Sequence, residues 1–147
     1  MSQSVLIVGA GSGLSASLAR RCHAAGMQVA LAARDGEKAR FVAQEMDATL
    51  HRCDASSIED VAALFAALDA SIGAPDLVVY NPSARLRGPI TDLDPEATRT
   101  AIEVTCFGAF LVAQQAARRM LARGSGSILF TGASAGVKGF ANSSVFA

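Results

Sequence analysis

Residues 5 to 15 read Val5-Leu6-Ile7-Val8-Gly9-Ala10-Gly11-Ser12-Gly13-Leu14-Ser15. Four apolar residues in a row, ending at glycine, predict a short strand buried on both faces. Glycines permit positive φ and let a ligand come close to the backbone. Leu14, Leu18, Cys22 and Ala25 then recur at helical spacing, so a helix opens directly behind the glycines and stops at Gly26. A helix start offers free N–H groups and the positive end of a dipole, which suits a phosphate. Two readings stand here: a cradle for a dinucleotide pyrophosphate, and a tight strand-to-helix turn without a ligand. The strand before and the helix behind favour the cradle.

The same alternation continues outward. Met27 to Ala33 is a second apolar run, and Asp35 is placed to cap a helix carrying Phe41, Val42 and Met46. Thr49 to Cys53 predicts a third strand. Ser56-Ser57-Ile58-Glu59 has capping-box spacing, followed by a helix face of Ile58, Val61, Ala62, Phe65 and Leu68. Leu77 to Tyr80 is a fourth strand, closed by Asn81-Pro82. Asp94-Pro95 starts a long helix that runs to Arg123 and stops at Gly124. That helix is apolar on more than one face, so it packs on the sheet and on something else. Ser127 to Thr131 is a fifth strand. The expected fold is α/β: a Rossmann-like doubly wound parallel sheet of order 3-2-1-4-5, forming one domain over residues 1–147.

Composition agrees and excludes other classes. The chain has 147 residues, 51% apolar and 18% charged, which is not the profile of a disordered segment. Lys plus Arg and Asp plus Glu each total 13, so no net charge draws it to nucleic acid or anionic lipid. No apolar run approaches the ~20 residues that span a bilayer, and no basic segment precedes the first apolar run, so no membrane span or secretory signal is expected. Cys22, Cys53 and Cys106 are widely spaced and read as small buried core residues in a reducing compartment, which implies a cytoplasmic protein. His23 and His51 lack partners at ligand spacing and read as surface or helix-end residues, so no metal is expected.

The end of the second strand bears on cofactor choice. Dinucleotide sites often place an acid there for the ribose 2′-hydroxyl. This chain has Ala32-Ala33-Arg34-Asp35. Arg34 is suited to a 2′-phosphate, which favours NADP over NAD. Asp35 either caps the next helix or faces the ribose.

With these features in order, the chain resembles the short-chain dehydrogenase/reductase family from Val5 to Ala147. The family's Thr-Gly-x-x-x-Gly-x-Gly motif matches at Gly9 and Gly13, with Val8 for the threonine and Ser15 for the last glycine. The family aspartate near the adenine matches Asp54. The Asn-Asn-Ala-Gly motif after strand four corresponds to Tyr80-Asn81-Pro82-Ser83, with only Asn81 kept. The resemblance therefore implies cofactor contacts at Gly9, Gly11, Ser12, Gly13, Leu14, Arg34, Asp54, Asn81 and Ser83. It covers the N-terminal part of the family and lacks its last strands, so the domain reads as incomplete at its C-terminus.

The catalytic positions depart from the family. The tyrosine position aligns with Phe146, the serine position with Ala133, and the asparagine position with Thr105. The lysine position would fall beyond Ala147. Ser134, one step from Ala133, is the candidate for a substrate hydrogen bond. A benzyl group has no proton to give, so the general acid–base step, worth roughly 10²–10⁴-fold, lacks its usual donor. A divergent branch of the family carries Asn-Pro-Ser-Ala after strand four and phenylalanine at the tyrosine position, and this chain looks like that branch. Arg85 and Arg87 follow Asn81-Pro82; a solvated loop is the favoured reading, recognition of an anionic group the other.

The resemblance implies an NADP(H)-dependent oxidoreductase acting on a carbonyl or alcohol of a small molecule. The alternative is a non-catalytic dinucleotide-binding or regulatory protein of the same fold. In the family the long helix, here 95–123, commonly joins subunits, so a homo-oligomer is expected.

Overall fold

The computed structural model describes residues 2–145. Phe146 and Ala147 lie outside the described residues, so the expectation for Phe146 is not addressed by the fold. Five strands form one parallel sheet: β1 Ser4–Val8, β2 Gln28–Ala33, β3 Thr49–Arg52, β4 Leu77–Tyr80 and β5 Ser127–Phe130. Their order is β3-β2-β1-β4-β5, as the alternation predicts. Register is set by pairs such as Ile7 with Leu31 and Val79, and Val79 with Leu129.

Helices α1 Leu14–Ala24, α2 Glu37–Glu45, α3 Ile58–Asp69, α4 Pro95–Ile102 and α5 Gly108–Arg123 connect the strands. β1 lies at the centre and is buried along its whole length, which is why it reads as a continuous apolar run. One side of the sheet carries Val5, Ile7, Val29 and Leu31 against α1 and α2. The other carries Leu6, Val8, Val78 and Tyr80 against α3 and α5.

Among the described residues Phe65 is the largest fully buried side chain. The Arg119 guanidinium sits 5.0 Å over its ring and also binds the Asp69 carboxylate at 2.6 Å. Phe65→Ala removes a close-packed ring and a cation–π partner together, at a cost of roughly 3–5 kcal/mol. Urea unfolding measures this; a change in stability below about 1 kcal/mol would contradict the packing described.

Several local expectations are corrected. α1 buries its small residues Ser15, Ala16 and Ala19, while Leu14 is exposed. Small residues let this helix lie close to the strands. In α2 Phe41 points to solvent, and Asp35 Oδ1 accepts from the Glu37 amide one residue before the cap position, Gly36. The α3 cap is Ser57, not Ser56: its Oγ accepts the Asp60 amide at 3.1 Å. The buried face of α3 is Val61, Leu64, Phe65 and Leu68, with Ile58 and Ala62 exposed. His51 lies within β3, its Nε2 3.2 Å from Thr49 Oγ1, where burial lowers its pKa. Of the cysteines only Cys53 is buried, and Cys106 is exposed; among the described residues all three are free thiols.

The helix starting at Asp94, whose Oδ1 accepts the Ala97 amide at 2.7 Å, is not one regular helix. Residues Glu103–Phe107 form a π-helical turn between α4 and α5. Gly124 ends α5 in the left-handed conformation, as predicted. Among the described residues β5 pairs with β4 alone, and Leu129 and Phe130 are each more than half exposed.

Candidate functional site

The chain runs from β1 to β2 to β3 on one side of the sheet, then crosses to β4 and β5 on the other. The crevice between the carboxyl ends of β1 and β4 is thus the topological switch point, where ligands bind in open α/β sheets. Two cavities open there. One of about 310 Å³ is lined by residues that include Gly9, Arg34, Lys38, Asp54 and Asn81. The other, of about 410 Å³, includes Leu14, Tyr80, Thr105, Phe130 and Ala133. Asn81, Pro82 and Ser83 line both and join them.

The turn after β1 is shaped by close backbone approach. Gly9 has φ +81°, and a Cβ there would lie 2.6 Å from Pro82 N and 2.9 Å from Asn81 C. Both amides of Gly9 and Ala10 donate to the Ala32 carbonyl, at 2.9 and 3.0 Å. Gly11 and Gly13 differ: a Cβ at either meets nothing within 4 Å. The α1 N-terminus behind them has no side-chain cap and no acid in its first turn. Its free amides and positive dipole end face an open space that would admit a phosphate.

Ser15, absent from the sequence-based site, ties this turn to β4. It is buried; its Oγ donates to the Gly9 carbonyl at 2.9 Å and accepts from Asn81 Nδ2 at 2.8 Å. Asn81 therefore commits its side-chain amide to fixing the turn, and its own N–H donates to the Val8 carbonyl. The only early signal for Ser15 is that it stands where the family has its last glycine.

At the far end of the first cavity stand Arg34, Lys38 and Asp54. Arg34 and Lys38 are exposed on the rim, both side chains cationic, and Lys38 is a second residue that sequence reasoning missed. It stands on the first turn of α2, while Arg34 lies in the bend before that helix, so no local spacing in the sequence pairs the two. Asp54 is held by its own loop: Oδ1 accepts the Ser56 hydroxyl at 2.7 Å and amide at 3.0 Å, and its N–H donates to Asp60 Oδ2. Those Ser56 bonds, with Arg34 and Arg52 nearby, hold its carboxyl below the usual range. A carboxyl with a depressed folded pKa adds stability above its unfolded value, about 3.9, and loses it as pH falls through the folded value. Asp54→Asn is therefore expected to flatten the fall in Tm below pH about 4 and to change little at neutral pH beyond its lost hydrogen bonds. Thermal melts between about pH 5 and 3 check this; parallel wild-type and variant profiles would contradict it.

Among the described residues the lining of the second cavity holds no Asp, Glu, His or Cys. Tyr80, the one tyrosine in the sequence, lines it, but its hydroxyl donates to the Val104 carbonyl, and burial raises its pKa. Ala133 lines the cavity, whereas Ser134 starts a short 3₁₀ turn, is exposed and is not in the lining. Thr105 lies in the π-helical turn, and its Oγ1 accepts the Ala84 amide at 3.3 Å. Arg85 contributes to this wall, and Arg87 does not. The Asn142 carbonyl accepts the Gly88 amide and pins the loop after β4. Ser12 and Gly13 stay exposed on the turn beside Gly11, and none of the three is in the lining of either cavity. Among the described residues no group of three or more His, Cys, Asp or Glu side chains could hold a metal, and no helix is long and apolar enough to cross a membrane.

A β1-glycine-turn-α1 unit at the switch point of a 3-2-1-4-5 sheet defines the class, and likeness to known proteins supplies the family. The chain belongs to the short-chain dehydrogenase family, whose model matches residues 3–147. It is 33% identical over 147 residues to the cis-4-hydroxycyclohexanecarboxylate dehydrogenase of Sinomonas cyclohexanicum, covering 96% of this chain and 59% of that one. The structure of actinorhodin polyketide ketoreductase with NADPH superimposes with a TM-score of 0.94 at 29% identity, covering 99% of this chain and 58% of that one. A metagenomic short-chain oxidoreductase in complex with NADP gives 0.93, also at 29% identity, over 98% and 68%. The chain spans between 55% and 59% of the length of the first curated relatives it matches.

Proposed function

We propose that residues 1–147 form the dinucleotide-binding part of an NADP(H)-dependent oxidoreductase acting on a carbonyl or alcohol of a small molecule. The observation that carries it is one cleft lined by the Gly9 turn and by two cations, Arg34 and Lys38, with the uncapped start of α1 following that turn. The residues fit the cofactor. Gly11 and Gly13 leave room for a pyrophosphate, and Arg34 with Lys38 matches a 2′-phosphate better than a bare ribose. NADPH, when bound, supplies a hydride; the protein binds, orients and excludes water. The similar structures solved with NADPH and NADP support this choice over NAD. Titration of NADPH fluorescence with the protein tests the reading, and absence of binding at millimolar cofactor overturns it.

The same reading places the protein in the cytoplasm, with a homo-oligomer formed through residues 95–123. Ile102, Phe107, Phe110 and Leu121 are exposed along this stretch and support such contact. Light scattering showing only monomer would count against it.

A second reading is favoured by the tethered Tyr80 hydroxyl together with Ala133, Thr105 and Phe146: a dinucleotide-binding protein without turnover. Comparing wild type with Phe146→Tyr in a complete chain on a carbonyl panel separates the two. Wild type that already turns the panel over as fast as the variant rules out the second reading; activity only in the variant supports it.

A further inference from the structure

We propose that Tyr80 is a positioning residue, a latch from the end of β4 that holds the π-helical turn and sets the wall of the second cavity. In a regular α-helix the Val104 carbonyl would accept the Gly108 amide. Here the Gly108 amide goes to the Glu103 carbonyl, five residues back, as a π turn requires. The Val104 carbonyl is instead filled by the Tyr80 hydroxyl, from a residue that is only 3% exposed. A buried carbonyl left without a donor costs about 1–3 kcal/mol, so the hydroxyl and the turn sustain each other.

Gly108 makes the contact possible. A Cβ there would crowd the Tyr80 hydroxyl oxygen and lie 2.7 Å from the Ala55 carbonyl, so any side chain would displace the latch. The turn carries Thr105, whose Oγ1 takes the Ala84 amide and so fixes the loop that follows Asn81 and Pro82. Tyr80, Thr105, Asn81 and Ser83 all line the second cavity, which continues from the first. An extended dinucleotide with its adenosine end at Arg34 would send its nicotinamide end along this wall. The tyrosine thus serves geometry and not proton transfer, because its hydroxyl proton is committed to Val104.

The latch itself is tested without any ligand, and its effect on the site rests on the dinucleotide reading above. In Tyr80→Phe, amide hydrogen exchange at Phe107 and Gly108 is expected to quicken about tenfold or more, the scale of one lost buried hydrogen bond, with Leu6 and Leu31 unchanged. Unchanged exchange at the turn overturns the latch. For the site, NADPH affinity is expected to fall about tenfold while the affinity of 2′,5′-ADP, which lacks the nicotinamide end, stays within about twofold. Parallel losses, or none, overturn the positioning role. Should Tyr80→Phe not fold, Thr105→Val carries the ligand arm, with the same split expected and the same result overturning it. Wild type that binds neither probe removes the dinucleotide reading, while the exchange measurement still decides the latch.

Discussion

Gly9→Val is expected to abolish NADPH binding, by about 100-fold or more, and to lower Tm sharply. Left-handed backbone costs a non-glycine residue roughly 1–2 kcal/mol. The steric clash is worse: the new Cβ would meet Pro82 N at 2.6 Å and Asn81 C at 2.9 Å, both backbone atoms that cannot swing aside. Either β1 or the loop after β4 must move, and the Ser15 bonds to Gly9 and Asn81 break with it. Gly11→Ala and Gly13→Ala serve as controls. Neither has positive φ, and neither Cβ meets anything within 4 Å. These variants keep the wild-type Tm and lose affinity only because a ligand claims that space. Calorimetry with NADPH titration separates the cases; a Gly9→Val protein with wild-type melting and binding would contradict the described turn.

Arg34→Ala is the second large effect, and it falls on cofactor choice. A charge-assisted bond to phosphate is worth about 1.5–3 kcal/mol, so NADPH affinity should fall roughly 10- to 100-fold. NADH lacks the 2′-phosphate, and its affinity should stay within about twofold. Lys38 sits on the same rim, so Lys38→Ala shifts the ratio in the same direction by less, through a flexible point charge without a fork of donors. Competition titrations with the two cofactors check both. Equal losses for NADPH and NADH would show that Arg34 acts on something the two cofactors share.

The fold was legible because parallel strands buried on both faces carry continuous apolar runs, as in Val5 to Val8 and Leu77 to Tyr80. Helix faces were less legible. α1 packs through Ser15, Ala16 and Ala19, whose small side chains hardly register in a hydrophobic pattern, while the large Leu14, Phe41 and Ile58 face outward. The π turn adds one residue to a helical turn, and a multi-faced apolar stretch such as 95–123 hides that shift. Arg34, Asp54 and Asn81 could be placed because each follows a strand, and the ends of parallel strands converge. The bonds that build the cleft could not: Asn81 to Ser15 spans 66 residues, and Tyr80 to Val104 spans 24. Such pairings follow from tertiary packing and leave no trace in local spacing.

The central claim is that one cleft holds an NADP dinucleotide from Arg34 to the second cavity. A crystal structure of the protein with NADP⁺ tests it most directly. The account predicts the 2′-phosphate beside Arg34 and Lys38, the pyrophosphate over Gly11 to Gly13, and the nicotinamide past Asn81 toward Thr105. A dinucleotide bound in the reverse direction, or a cleft left empty at saturating NADP⁺ with the ligand elsewhere, would contradict it.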